Sequence, residues 1–160
     1  MGFFNFFSSK KETEKQPQYP EEQLQLDLFA NLSETQKFAM ATMLMSLAAA
    51  PTSADKNAMV QKMVFTDTTM MGLTQSKLLN YIQTHSKSNS QAIISTLRTI
   101  TDKNVLEWLI YSGFGIIAVN QNEKACSVYF DWWQQLGYEP EDIKLIVKKV
   151  ETICNQINNL

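Results

Sequence analysis

Two stretches of this chain spell the same joint: "DTTMMGLTQSKLLNYI", Asp67 to Ile82, and "WWQQLGYEPEDIKLIV", Trp132 to Val147. Each runs from a bulky helical stretch into a glycine, then one large side chain (Leu73 or Tyr138), then a polar start to another apolar helix. Glycine has no Cβ, so it adopts the left-handed conformation that closes a helix without strain. Gly72 and Gly137 are therefore read as helix stops, with Leu73 and Tyr138 able to cover the helix ends. Thr74 caps the helix after the first stop. After the second, Pro140 supplies a fixed φ at the first turn, and Glu141 and Asp142 favour the positive helix start. One hinge used at two places predicts an internal pseudo-repeat.

On the N-terminal side of the first joint, "LSETQKFAMATMLMSLAAAP" opens with Ser33 and has Gln36 three residues on, the capping-box spacing. Pro51 ends that helix. Phe38, Met40, Ala41, Met43, Leu44, Met45 and Leu47 leave it little polar face, which makes it central. A helix from Ala54 to Met71 carries Met59, Val60, Met63 and Val64 at core spacing. "SQAIISTLRTI" turns Ile93, Ile94, Leu97 and Ile100 inward. "DKNVLEWLIYSGFGIIAVN" starts behind Thr101 or Asp102 and buries Leu106, Leu109, Ile110, Phe114 and Ile117. Gly113 and Gly115 lie inside it, where a helix disfavours glycine, so a neighbouring helix should pass close to the backbone there. "ACSVYFDWWQQL" leads to the second joint. Earlier in the chain, Leu24 and Leu28 suggest a short helix, and no segment needs a strand.

The fold class expected is all-α: a single compact helical bundle of about six to eight helices with an internal pseudo-repeat. Each half runs central apolar helix, short polar loop, long helix, glycine joint, terminal helix. The helical domain spans 23–160, behind an aromatic N-terminal segment and polar linker at 1–22. Its 160 residues suffice for one domain with a real core, and 44% hydrophobic against 19% charged residues is a globular composition.

The net charge of -2, with lysines scattered among acids, excludes the clustered basic face that nucleic acid requires. No apolar stretch reaches the roughly twenty residues that span a bilayer. "MGFFNFFSSKK" lacks the charged start and cleavage site of a signal peptide, and Phe6 stands where myristoylation wants Ser or Thr. A cytoplasmic protein is expected, with peripheral membrane contact through Phe3, Phe4, Phe6 and Phe7 as one use of that segment. Those four recur at three- and four-residue spacing, and packing back on the domain or contact with a protein partner are the other uses.

Trp132 and Trp133 stand in an aromatic knot with Tyr129 and Phe130. Adjacent tryptophans point in different directions on a helix, so one can be core while the other anchors a partner, and core packing alone is the other reading. With the four phenylalanines they are the candidate partner contacts. The methionines from Met40 to Met71 fill a core or line a groove for a small apolar ligand or lipid. Cys126 and Cys154, both in apolar helical patterns, read as reduced core thiols, and His85 in "THSKSNSQ" as a solvated loop residue. No nucleophile, base and orienting group stand at recognisable spacing, so neither enzyme activity nor a cofactor is expected.

The unit from Phe38 to Ile82 and its partner from Leu106 to Val147 resemble the two helical halves of the tellurite-resistance TerB-like family. The resemblance covers Leu32 to Glu151 and is carried by "SLAAA", "GIIAV", "MMGLTQSKL" and "QLGYEPEDI". It implies a non-catalytic interaction module, a scaffold or accessory protein in a bacterial stress-response or membrane-associated assembly. In that family each loop after a central helix typically carries an Asp-Gly pair and then Glu, an acidic set associated with metal. Here Pro51 and Thr52 stand in the first loop and Asn120 and Gln121 in the second, leaving Asp55 and Glu123 isolated. Calcium wants several oxygen ligands, usually with more than one carboxylate, so no metal is expected. Asp55, Asn120, Asn122 and Glu123 take helix-capping roles instead. A small apolar ligand or lipid binder and a metal-sensing TerB-like protein are the alternative functions.

Overall fold

The computed structural model describes residues 27–49, 53–85 and 89–159. The expected aromatic segment and linker at 1–22, with Phe3, Phe4, Phe6 and Phe7, lie outside them, as do Pro51 and Thr52. Seven helices come after a helical turn at 27–29: α1 Glu34–Ala48, α2 Ala54–Met70, α3 Gln75–Thr84, α4 Ser90–Leu97, α5 Lys103–Asn120, α6 Glu123–Gln135 and α7 Pro140–Asn158. Among the described residues there is no strand, and the protein is all-α.

The helix starts use side chains that the sequence displays. Ser33 Oγ accepts from the Gln36 N–H at 3.2 Å while Gln36 Oε1 accepts from the Ser33 N–H at 2.9 Å, the reciprocal box. Ser53, Thr74, Asn89, Asp102 and Asn122 cap α2 to α6 in the same one-sided way. At α7, Asp142 Oδ2 accepts from the Glu139 N–H at 2.9 Å with Pro140 in the first turn.

Both glycine joints close identically. Gly72 has φ +78° and Gly137 +92°. The Gly72 N–H donates to Thr69 O at 2.9 Å and the Leu73 N–H to Thr68 O at 3.1 Å. At the second joint Gly137 donates to Gln134 O at 3.0 Å and Tyr138 to Trp133 O at 2.9 Å. This pair of bonds is the Schellman closure, which satisfies carbonyls that a helix end otherwise strands. Leu73 is buried, and the Tyr138 ring meets Trp133 edge-on at 5.5 Å, so each large residue covers the end of the helix before it.

The core gathers around α1 and α5. Helix α1 packs on α2, α4, α5 and α6, and α5 on α1, α2, α6 and α7. Met40, Ala41, Met43, Leu44 and Leu47 of α1 are fully enclosed with Leu109, Ile110 and Ile116 of α5. The two interior glycines of α5 admit neighbours at short range. A Cβ on Gly113 would fall 2.8 Å from Tyr129 Cε2 and 3.3 Å from Leu47 Cδ1, and one on Gly115 would fall 3.0 Å from the Met63 methyl.

Some inward assignments shift. Met59 is 57% exposed, because α2 turns Val60, Val64 and Thr68 to the core and Met59 sits about 100° away from Val60 around the axis. Leu106 and Phe114 are half-buried, while Val105 and Ile116 of the same helix are enclosed.

Replacing Gly72 or Gly137 by Ala should lower stability by about 1 kcal/mol each in denaturant titrations, since both need positive φ and neither meets a close neighbour. Gly113→Ala should be worse, by about 1–3 kcal/mol, because the new methyl must displace a buried ring.

Candidate functional site

Helix α6 brings both tryptophans inside, which corrects their assignment as partner contacts. Trp132 is 6% exposed and Trp133 not at all. Side chains one position apart diverge by about 100°, yet the buried arc of α6, shared between α1 and α5, is wide enough to take both. Trp133 is held edge-on by Tyr129 at 6.3 Å and Tyr138 at 5.5 Å, and its indole N–H finds no acceptor among the described residues.

A solvent-open cleft instead lies between α1, α3 and α4. Glu34, Thr35, Phe38 and Ala39 come from α1, Tyr81 and His85 from α3 and its cap, and Ala92, Ile93 and Thr96 from α4. Its volume is ≈ 340 Å³, within the range of small-molecule pockets. A second recess of ≈ 200 Å³ continues along α3 past Lys77, Asn80 and Thr84, sharing Glu34, Phe38, Tyr81 and His85 with the first.

Three rings form a column in this cleft. Phe38 and Tyr81 stack with centroids 4.3 Å apart and planes 6° from parallel, and Tyr81 and His85 stack at 4.2 Å and 15°. Tyr81 and His85 are four residues apart, so α3 itself aligns them. Phe38 is available because α1 is apolar nearly all round and has more hydrophobic surface than its core face uses. The column also orders His85, which is exposed as expected but not free. Its Nδ1 lies 2.8 Å from Thr84 Oγ1 and 3.1 Å from Tyr81 O. Thr84 Oγ1 also reaches the Asn80 carbonyl at 2.9 Å and the Tyr81 carbonyl at 3.1 Å, so ring, hydroxyl and helix end share one network.

Lys77 and Glu34 pair at the mouth of the cleft, and the hydrogen bond from Lys77 holds the Glu34 carboxyl below its usual range. Both are well exposed, so the pair contributes little to stability. It does set one charge of each sign beside an apolar floor. No described methionine lines this cleft; Met40, Met43, Met45 and Met71 fill the core, the other use expected of them.

The first turn of α2 reaches the residue that follows α5. Lys56 Nζ donates to Gln121 Oε1 at 2.8 Å, and the buried Asn120 donates from Nδ2 to Leu47 O at 3.1 Å. Asn122 caps α6, as expected, through the Ala125 N–H at 3.0 Å. Among the described residues no three His, Cys, Asp or Glu side chains converge. Cys126 and Cys154 are free thiols and only half-buried. No described helix is long and apolar enough to cross a membrane.

Sequence reading missed one titratable group, Asp67 of α2, which faces α5. Burial pushes its carboxyl up to about 7, opposed by a hydrogen bond from Ser112. The only cue in the sequence is an acid on the inward arc of α2, between Val64 and Thr68.

In the fold Asp67 keeps its proton up to a pH near 7, whereas the unfolded chain releases it near its ordinary 3.8. The stability it contributes is full below that lower value and is lost as pH rises through about 7. Asp67→Asn should therefore raise stability at about pH 8 by roughly 1–2 kcal/mol and flatten the decline between pH 4 and 8, read by urea titration across pH. Millimolar calcium should leave the melting midpoint unmoved, since binding at about a hundred times Kd would add roughly 2.7 kcal/mol. A rise of several degrees, abolished by Asp55→Ala or Glu123→Ala, is the contrary result.

Compared with family models, characterised proteins and solved structures, the chain matches none of them.

Proposed function

We propose that this protein is a non-catalytic helical interaction module, resembling the TerB-like family in its duplicated halves, which receives an apolar anchor of a protein partner in the α1–α3–α4 cleft. The Phe38–Tyr81–His85 column carries this reading. It presents stacked aromatic surface in an open groove, beside a fixed ion pair and hydroxyls from Thr35 and Thr96. Aromatic surface of this kind, rimmed by polar groups, is what a partner's anchoring side chain buries. The family resemblance adds a scaffold or accessory role in a bacterial stress-response or membrane-associated assembly, by analogy of fold.

A small apolar ligand is favoured by the cleft's volume of ≈ 340 Å³. Its openness weighs the other way, since small-molecule sites usually enclose most of the ligand. The metal-sensing alternative is weakened by the Lys56 ammonium held beside the end of α5 through Gln121.

In-cell photo-crosslinking from α3 tests the proposal, with Tyr81→Ser as the comparison. The native chain should give a protein adduct mapping to α3 or α4. Tyr81→Ser should cut its yield roughly tenfold, equivalent to about 1.4 kcal/mol, while the helical circular dichroism spectrum is retained. An adduct indifferent to Tyr81→Ser would move the contact elsewhere, and a copurifying small molecule released by Tyr81→Ser would favour the ligand.

A further inference from the structure

Helix α7 carries one continuous apolar stripe: Ile143, Ile146, Val147, Val150, Ile153, Cys154 and Ile157, at alternating three- and four-residue spacing with one adjacent pair in each cycle. Its first half lies in the core. Ile143, Ile146 and Val147 are buried, Val150 and Cys154 half-buried, and Ile153 and Ile157 are 45% and 40% exposed. The stripe thus runs on for two turns past the surface that covers it. The pattern is that of a helix with a partner along its whole length.

The surroundings of those two turns point to what lies there. On α5, Trp108 and Tyr111 are three residues apart and share a side of the helix. Burial first, and then the charges of Cys154 and Glu151 on α7, push the Tyr111 phenol above the usual range. Trp108 meets Phe29 edge-on at 4.8 Å. Phe29 stands two residues after the first described residue, Asp27. Phe29, close to where the N-terminal chain joins the bundle, thus packs on the same helix, α5, against which α7 lies.

The residues before that point include four phenylalanines, at positions 3, 4, 6 and 7. The connection from 8 to 26 can extend by about 3.3 Å per residue or more, roughly 60 Å in all, about twice the length of α7 at about 1.5 Å per residue. Reach is no obstacle. We propose that the uncovered half of the α7 stripe is the docking face for this chain's own N-terminal aromatic segment, the phenylalanines of residues 3–7 lying against Val150, Ile153 and Ile157.

Two other occupants fit less well. A second copy would have to hold through a patch of about two turns, far short of the roughly 1,200 Å² or more that a stable interface buries. A tethered segment needs no such area, because the linker holds it at millimolar effective concentration. A membrane surface would favour basic flanks, whereas Lys148 and Lys149 are followed by Glu151 and then by Asn155, Gln156 and Asn158. This inference is independent of the α1–α3–α4 cleft, to which none of the stripe residues contributes.

Cys154 sits in the face and Cys126 on α6 serves as an internal reference, so the rate of thiol alkylation at each, resolved by peptide mass spectrometry, tests the proposal in the full chain. Changing Phe3, Phe4, Phe6 and Phe7 together to Ala should speed alkylation of Cys154 roughly fivefold or more, equivalent to about 1 kcal/mol of docking, and leave Cys126 unchanged. Ile157→Glu alone should give the same acceleration. Protection of Cys154 in the native chain should not vary with protein concentration. An unchanged Cys154 rate in the four-alanine variant would overturn the proposal, as would equal acceleration of both cysteines, which means general loosening. Protection that fades on dilution would assign the face to a second copy. Protection that arises only with anionic phospholipid vesicles would assign it to a membrane.

Discussion

The hydrogen atom at position 113 sets the spacing of this bundle. Where Gly113 has no side chain, the ring of Tyr129 crosses the backbone of α5 and Leu47 of α1 closes from another side, so three helices meet at one residue. The Tyr129 hydroxyl goes on to donate to the Ile110 carbonyl at 2.6 Å. Burial pushes that phenol well above its usual range, which favours the protonated donor. A larger residue at 113 would not merely crowd the ring: it would lift Tyr129 off its acceptor and open α6 from α5. Close packing of a core leaves no slack for such a shift.

From that point the two halves organise each other. Asn120, at the far end of α5, donates to the last turn of α1 through the Leu47 carbonyl, so the residue that closes on Gly113 also ties the two central helices by its backbone. Lys56 then donates to Gln121. Two amides and one ammonium thus tie the end of α5 to α1 and to the start of α2. The cleft lies away from these contacts. Helix α1 gives its core face to α5 and α6 and its Phe38 flank to α3 and α4, which a helix with a one-sided apolar stripe could not do.

What the sequence made legible was local. The caps at Ser33 and Thr74 and the stops at Gly72 and Gly137 depend on neighbours within five residues, so their chemistry is written in order along the chain. The glycines of α5 were legible for another reason: a residue that weakens a helix in the middle of a strong apolar run implies a compensating close approach. The tryptophan pair and Met59 were not legible, because periodicity gives the direction of a face but not the width of the arc that neighbours will cover. A cleft whose wall stacks Phe38 on Tyr81 across 43 positions is less accessible still. Only the four-residue spacing of Tyr81 and His85 hinted at it, and that hint lacked a partner until α1 and α3 were placed.

Helix α7 shows how one polar contact can decide what an apolar face does. Glu107 of α5 is 7% exposed, and Lys149 reaches it at 2.6 Å, with Lys103 more loosely placed at 3.8 Å. A nearly buried carboxylate left without its cation would be strongly unfavourable, so Lys149 fixes the rotation of α7 about its axis at that level. With rotation fixed there, Ile146 and Val147 must face the core one turn before, and Val150, Ile153 and Ile157 must continue along the same side one and two turns after. Their exposure follows from where the surrounding helices end, since Ile153 and Ile157 are 45% and 40% exposed while Ile143, Ile146 and Val147 earlier on the same stripe are buried. The Lys149–Glu107 pair thus anchors the middle of α7 to α5, and the apolar stripe continues beyond that anchor onto exposed surface at Ile153 and Ile157.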